Sequence, residues 1–148
     1  MNLDGCANTS LALNDKAPAA RRSAGQIVYL TGEGNIELTD AAGRRSTKVT
    51  TDAFVSEASG QARVYQFPTF SNDGHSLAFV GLELAEQGKS LTQTVYVADA
   101  VANAPLTDLY STHEDNIPYL DWSPDGASVA FLTIHTGTGE IRVASRKG

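Results

Sequence analysis

Two stretches of the chain share one pattern of apolar and polar positions. Pro68-Thr69-Phe70-Ser71-Asn72-Asp73-Gly74-His75-Ser76 leads into the apolar run Leu77-Ala78-Phe79-Val80. Leu120-Asp121-Trp122-Ser123-Pro124-Asp125-Gly126-Ala127-Ser128 leads into Val129-Ala130-Phe131-Leu132. Each copy reads aromatic, Ser, x, Asp, Gly, two small or polar residues, then apolar-Ala-Phe-apolar. A continuous apolar run bounded by turn residues predicts a strand covered on both faces. The turn chemistry agrees. Ser71 and Ser123 can bond the backbone two residues on, and Asp73 and Asp125 are natural turn formers. Gly74 and Gly126 supply the positive φ that a type I turn needs to close into a hairpin. Ser71, Asp73, Gly74, Ser123, Asp125 and Gly126 are therefore read as structural turn residues.

The pattern continues downstream. Thr94-Val95-Tyr96-Val97-Ala98-Asp99 corresponds to Glu140-Ile141-Arg142-Val143-Ala144-Ser145, and Asn35-Ile36-Glu37-Leu38-Thr39-Asp40 is an earlier copy of the same strand. Gln26-Ile27-Val28-Tyr29-Leu30 precedes that earlier copy, and Lys48-Val49-Thr50 and Pro105-Leu106-Thr107-Asp108-Leu109 are equivalent short outer strands. One unit is thus four short strands, and such a recurring module is the signature of a β-propeller blade. The expected fold is all-β, built of four-stranded antiparallel sheets as a partial propeller. Its blades run over about 25–52, 63–109 and 117–148, with a linker at 53–62. The repeat is longer than the usual ~40–50 residues, and the excess is expected in a loop from Gly81 to Gln93. Phe70 and Trp122 hold equivalent innermost positions and are expected between blades, with Tyr65, Tyr96 and Tyr119 in core packing.

Ser-Pro-Asp-Gly, then apolar-Ala-Phe, then an apolar-x-Val-x-Asp strand, resembles the TolB-like, WD40-like propeller repeat of bacterial proteins. The resemblance covers about residues 24–148. It implies a bacterial envelope setting, periplasmic or lipid-anchored, and a protein partner. Similar repeats occur in propeller lipoproteins and in the propellers of serine peptidases. The function expected is a non-catalytic scaffold for protein or ligand binding. The alternative is part of a larger hydrolase or lyase whose catalytic residues lie outside this chain.

Composition narrows this further. The 148 residues are 41% hydrophobic and 19% charged, as in a globular domain. A net charge of −6 argues against nucleic-acid binding, which needs a basic surface. No apolar run approaches the ~20 residues of a transmembrane helix. Residues 1–24 sustain no period and read as a disordered tail. The single cysteine, Cys6, excludes an internal disulfide. Leu3-Asp4-Gly5-Cys6 resembles the end of a lipoprotein signal, which would make Cys6 a lipidation point and the tail a tether. The charged start and apolar core of such a signal are missing. The chain is thus envelope-associated if a signal was lost and cytoplasmic if residue 1 is the start.

No nucleophile elbow, Walker-type phosphate loop or dinucleotide fingerprint occurs, and no cofactor is expected. Blade topology would gather Glu33, Glu57, Glu83, Glu86, His113, Glu114, Asp115, Asn116, His135 and Glu140 on one rim, opposite Asp73 and Asp125. Within that set His113, Glu114, Asp115, Asn116 and His135 form the candidate ligand face. These types can offer ligands to a divalent cation, an acid–base pair or a sugar site, but the spacing matches no metal motif and also describes an ordinary solvated loop. About two and a half blades leave faces uncovered where a propeller closes with 4–8. The chain is therefore expected to be part of a larger product, to complete a ring with its own copies, or to stand as an open stack.

Overall fold

A computed structural model describes residues 25–85 and 88–147. Cys6, Glu86 and the tail lie outside the described residues. The protein is all-β. Among the described residues, eleven strands run in chain order: β1 (Gln26–Leu30), β2 (Ile36–Asp40), β3 (Ser46–Lys48), β4 (Phe54–Ser56), β5 (Gln61–Phe70), β6 (Ser76–Ala85), β7 (Ser90–Asp99), β8 (Thr107–Thr112), β9 (Asn116–Trp122), β10 (Ser128–His135) and β11 (Thr138–Ser145). They form three antiparallel sheets, each a sequential meander: β1–β3, β4–β8 and β9–β11. No helix among the described residues is long and apolar enough to cross a membrane.

The apolar run of β6 explains how the sheets meet. Side chains alternate across a strand, so Leu77 and Phe79 point to one face and Ala78 and Val80 to the other; all four are fully buried. Leu77 and Phe79 join Tyr65 and Ala98 in a cluster with Ile36, Leu38 and Val49 of the first sheet region. Ala78 and Val80 join Val95 and Val97 in a second cluster with Ile117, Leu120, Trp122, Val129 and Phe131 of the third. The middle sheet is thus covered on both faces by its sequence neighbours. Trp122 also bridges the second junction: its indole N–H donates to the Thr69 carbonyl at 3.3 Å. Phe70 packs against the first cluster.

Three features differ from the sequence expectation. The Gly81–Gln93 segment is mostly a paired ribbon rather than a loop. β6 and β7 stay in register from Gly81↔Thr94 through Leu84↔Leu91 to Ala85↔Ser90. Gly81 permits this because the Tyr96 ring fills the place of a side chain: a Cβ there would sit 2.5 Å from Tyr96 Cε2. Second, the 53–62 linker contains β4, which pairs with the start of β5 through Phe54↔Arg63 and Ser56↔Gln61. Gly60, at φ 64°, turns the chain back between them. The middle sheet therefore has five strands rather than four. Third, Tyr119 is exposed instead of core-packed. It stands opposite Leu132, on the face of the third sheet that no other sheet covers. Tyr65 is buried and Tyr96 half-buried against the first cluster.

Ser76, at the start of β6, is fully buried and its hydroxyl has no hydrogen-bond partner. An unpartnered buried hydroxyl is a cost that an isosteric apolar residue removes. Ser76→Ala is therefore expected to leave stability unchanged or raise it by up to about 1 kcal/mol. Phe79→Ala, which empties the middle of the first junction, is expected to cost about 3–5 kcal/mol. Urea denaturation of both variants against the parent measures the contrast.

Candidate functional site

The two repeated turns match bond for bond. In the first, Gly74 N–H donates to the Ser71 carbonyl at 2.8 Å. The Ser71 hydroxyl donates to Asp73 Oδ1 at 2.6 Å, and the same oxygen accepts His75 N–H at 3.0 Å. Ser76 N–H donates back to Ser71 Oγ at 3.0 Å. In the second, Gly126 N–H reaches the Ser123 carbonyl at 2.9 Å. The Ser123 hydroxyl and Ala127 N–H converge on Asp125 Oδ1 at 2.6 and 3.0 Å, and Ser128 N–H donates to Ser123 Oγ at 2.9 Å. Gly74 and Gly126 have φ of 72° and 68°. These donors hold both carboxylates below their usual range, the serine hydroxyl contributing most in each case and the backbone N–H next. The turns also touch: Asn72 Nδ2 donates to the Pro124 carbonyl at 2.8 Å. Asp73 and Asp125 each close their own turn through Oδ1.

The opposite rim carries a groove of about 620 Å³. The β8–β9 connection supplies His113, Glu114 and Asp115; the β10–β11 hairpin supplies Thr133, His135, Thr136, Thr138, Glu140 and Arg142. Its shape is fixed locally. Thr112 Oγ1 accepts the N–H groups of Glu114 and Asp115, both at 3.1 Å. Asp115 then bridges the two sheets: its Oδ2 accepts the Tyr110 hydroxyl at 2.8 Å, and its Oδ1 lies 3.2 Å from His135 Nδ1. Burial, then the bond to Asp115, pushes the Tyr110 phenol up. Arg142 lies over the Tyr110 ring, 5.1 Å from its centroid, a cation–π arrangement. Its Nε donates to Thr133 Oγ1 at 3.2 Å and its Nη2 to Glu140 Oε2 at 3.1 Å. His113 Nδ1 is 3.0 Å from the Thr92 hydroxyl.

The structure thus brings His113, Glu114, Asp115, His135 and Glu140 to one groove. Asn116 is turned away: its Oδ1 accepts Gln93 Nε2 at 3.2 Å, while Gln93 Oε1 takes Ile117 N–H at 2.8 Å. That brace anchors the loop without lining it. Glu33 lines a separate depression with Leu30 and Phe54. Glu83 pairs with Arg63 at 2.9 Å, and Arg63 also holds Asp52 at 2.7 Å. Tyr110 and Arg142 were not singled out by sequence reasoning. Arg142 had a signal: it fills the repeat position that Tyr96 holds, so a cation stands in a layer between sheets. Among the described residues, no group of three or more His, Cys, Asp or Glu side chains is arranged to hold a metal ion.

No protein-family model matches this chain, and no curated protein is similar to it at a significant level. Fold and geometry therefore define it as an all-β protein of three stacked antiparallel sheets with a polar groove across one junction.

The turn carboxylates give a pH prediction. Their folded-state values lie below the unfolded ones, so their contribution is full above the ordinary carboxylate range near 4 and is lost as pH falls through the folded values. Asp73→Ala with Asp125→Ala is expected to lower stability at neutral pH. It is also expected to flatten the loss of stability on acidification below about pH 4. Thermal unfolding across pH measures both; an acid-induced loss as steep as the parent's would rule out the contribution.

Proposed function

We propose that this chain is a non-catalytic binding scaffold of the propeller-repeat type, and that the groove at the β8–β9 rim recognises a protein partner. The observation that carries this reading is the bridge Tyr110–Asp115–His135. It joins the β8–β9 loop to the β10–β11 hairpin, so residues from two successive repeats form one recognition surface. Binding loops held on a rigid sheet scaffold suit protein or peptide recognition. The groove offers a cation at Arg142, carboxylates at Glu114 and Glu140 and imidazoles at His113 and His135. Such a mixed surface matches a polar peptide segment carrying both donors and acceptors better than a uniformly charged polymer. The propeller resemblance of the repeats supports a bacterial envelope setting, periplasmic or lipid-anchored through Cys6.

The test uses the full chain and a groove variant, His113→Ala, Glu114→Ala and His135→Ala together, as baits in envelope extract. These side chains lie at the rim, and the variant is expected to keep the parent's circular dichroism and thermal midpoint. A protein retained by the parent and lost by the folded variant supports the groove as the recognition surface. Equal capture by both baits, or capture by neither, removes it.

A further inference from the structure

β1, β6 and β10 hold the same place in their repeats. Gln26, Ser76 and Ser128 pair with Asp40, Asp99 and Ser145, which are equivalent positions of the repeated strand. β6 and β10 each carry a second neighbour on their other edge, β5 and β9, delivered by the turn just upstream. Among the described residues β1 has no such neighbour and stands at the edge of its sheet. Its backbone is set out for one. Thr31 N–H donates to the Asn35 carbonyl at 2.8 Å. Bonded and non-bonded pairs alternate in an antiparallel ladder. Ile27 and Tyr29 therefore turn their N–H groups toward β2, while Val28 and Leu30 turn theirs outward. The equivalent residues of β6, Ala78 and Val80, stand opposite Thr69 and Gln66 of β5.

Open edges invite pairing, and proteins block them with prolines, charges or very short strands. Pro68 lies in β5 and Pro118 in β9, and β3 and β4 are three residues long. β1 has none of these devices. It reads Gln26-Ile27-Val28-Tyr29-Leu30, with Ile27 50% and Leu30 42% exposed. Where β1 ends, an apolar depression of about 570 Å³ opens among Leu30, Phe54, Val55 and Val64. Phe54 and Val55 of β4 are exposed there. A strand added to the outward edge of β1 would run into this depression at its far end.

We propose that residues 11–20 of this chain fold back as an antiparallel strand on the outward edge of β1 and seat Leu11 and Leu13 in the depression. The segment precedes Gly25 directly, so it is tethered beside the edge and pairs as an intramolecular partner. A second copy would have to supply the same strand without that tether. The register agrees. Carried over to β1, fifty positions earlier, the β5–β6 pairing sets Ala20 opposite Ile27 and Leu13 opposite Glu33, which lines the depression. Pro18 falls at the place of Pro68, where β5 bulges between Gln66 and Thr69 and keeps its pairing on both sides. Leu11 and Leu13 share one face of an extended strand. Against Leu30, Phe54 and Val55 they remove apolar surface from water on both partners. The segment leaves the sheet at the rim of the β10–β11 hairpin, which brings Cys6 to the groove side.

Amide hydrogen exchange in the full chain, followed residue by residue by NMR, tests this. The outward N–H groups of Val28 and Leu30 are expected to exchange slowly, as those of Ala78 and Val80 do. The variant Leu11→Ser, Leu13→Ser and Ala19→Pro removes the apolar contact and one backbone donor of the added strand. In it, Val28 and Leu30 are expected to exchange about tenfold or more faster, with Ala78 and Val80 unchanged as the control for the rest of the fold. Exchange of Val28 and Leu30 at the rate of an unfolded chain in the parent overturns the inference. So does equal exchange in parent and variant. Protection that weakens when the parent is diluted would make a second copy the occupant, with the same consequence.

Discussion

One constraint organises the molecule: the middle sheet is apolar on both faces and must be covered on both. Leu77 and Phe79 on one side and Ala78 and Val80 on the other leave neither face of the first half of β6 for water. Burying large apolar side chains such as Leu77, Phe79 and Val80 is worth about 1.5–3 kcal/mol each, so exposing either face would offset much of a small domain's net stability. The flanking sheets therefore have fixed positions. They complete the core of the middle one, and their own inner faces are shaped to that task.

The repeated turns set how the flanking sheets align. Ser71 and Ser123 close the same ring of hydrogen bonds with Asp73 and Asp125, so β6 and β10 begin at equivalent points. The contact of Asn72 with the Pro124 carbonyl ties the two turns together at one rim. Arg146, which follows β11, reaches Asp99 at the end of β7 at 2.9 Å, adding a second tie on the same side. With that rim pinned, the loops at the other rim fall beside one another, and the local bonds of Thr112 and Asp115 then shape the groove between them.

Much of the fold was legible because two signals reinforced each other. The Ser-x-Asp-Gly turns marked the hairpins, and the unbroken apolar runs marked strands covered twice. What was missed followed from context. The ribbon beyond Gly81 was hidden because a glycine inside a strand reads as a break; only the Tyr96 ring lying over it shows why glycine suits that place. β4 is three residues long and becomes a strand only when β5 offers it an edge. Tyr119 carries no mark that distinguishes an exposed ring from a buried one. At the candidate site, topology could gather His113, Glu114, Asp115 and His135 on one rim. It could not reveal that Asn116 turns inward to Gln93, nor that Tyr110 supplies the bridge, since both depend on side-chain direction.

Arg142 links the stacking of the sheets to the groove. It occupies the inter-sheet position that Tyr96 fills in the middle repeat, yet its guanidinium extends over Tyr110 toward Glu140 at the groove. An arginine has an apolar stem and a charged head, so it can pack along the junction while its head stays at the solvent edge. The residues that define the groove are thereby seated on the interface between the second and third sheets. The same junction is filled below the groove by the Trp122–Phe131 cluster.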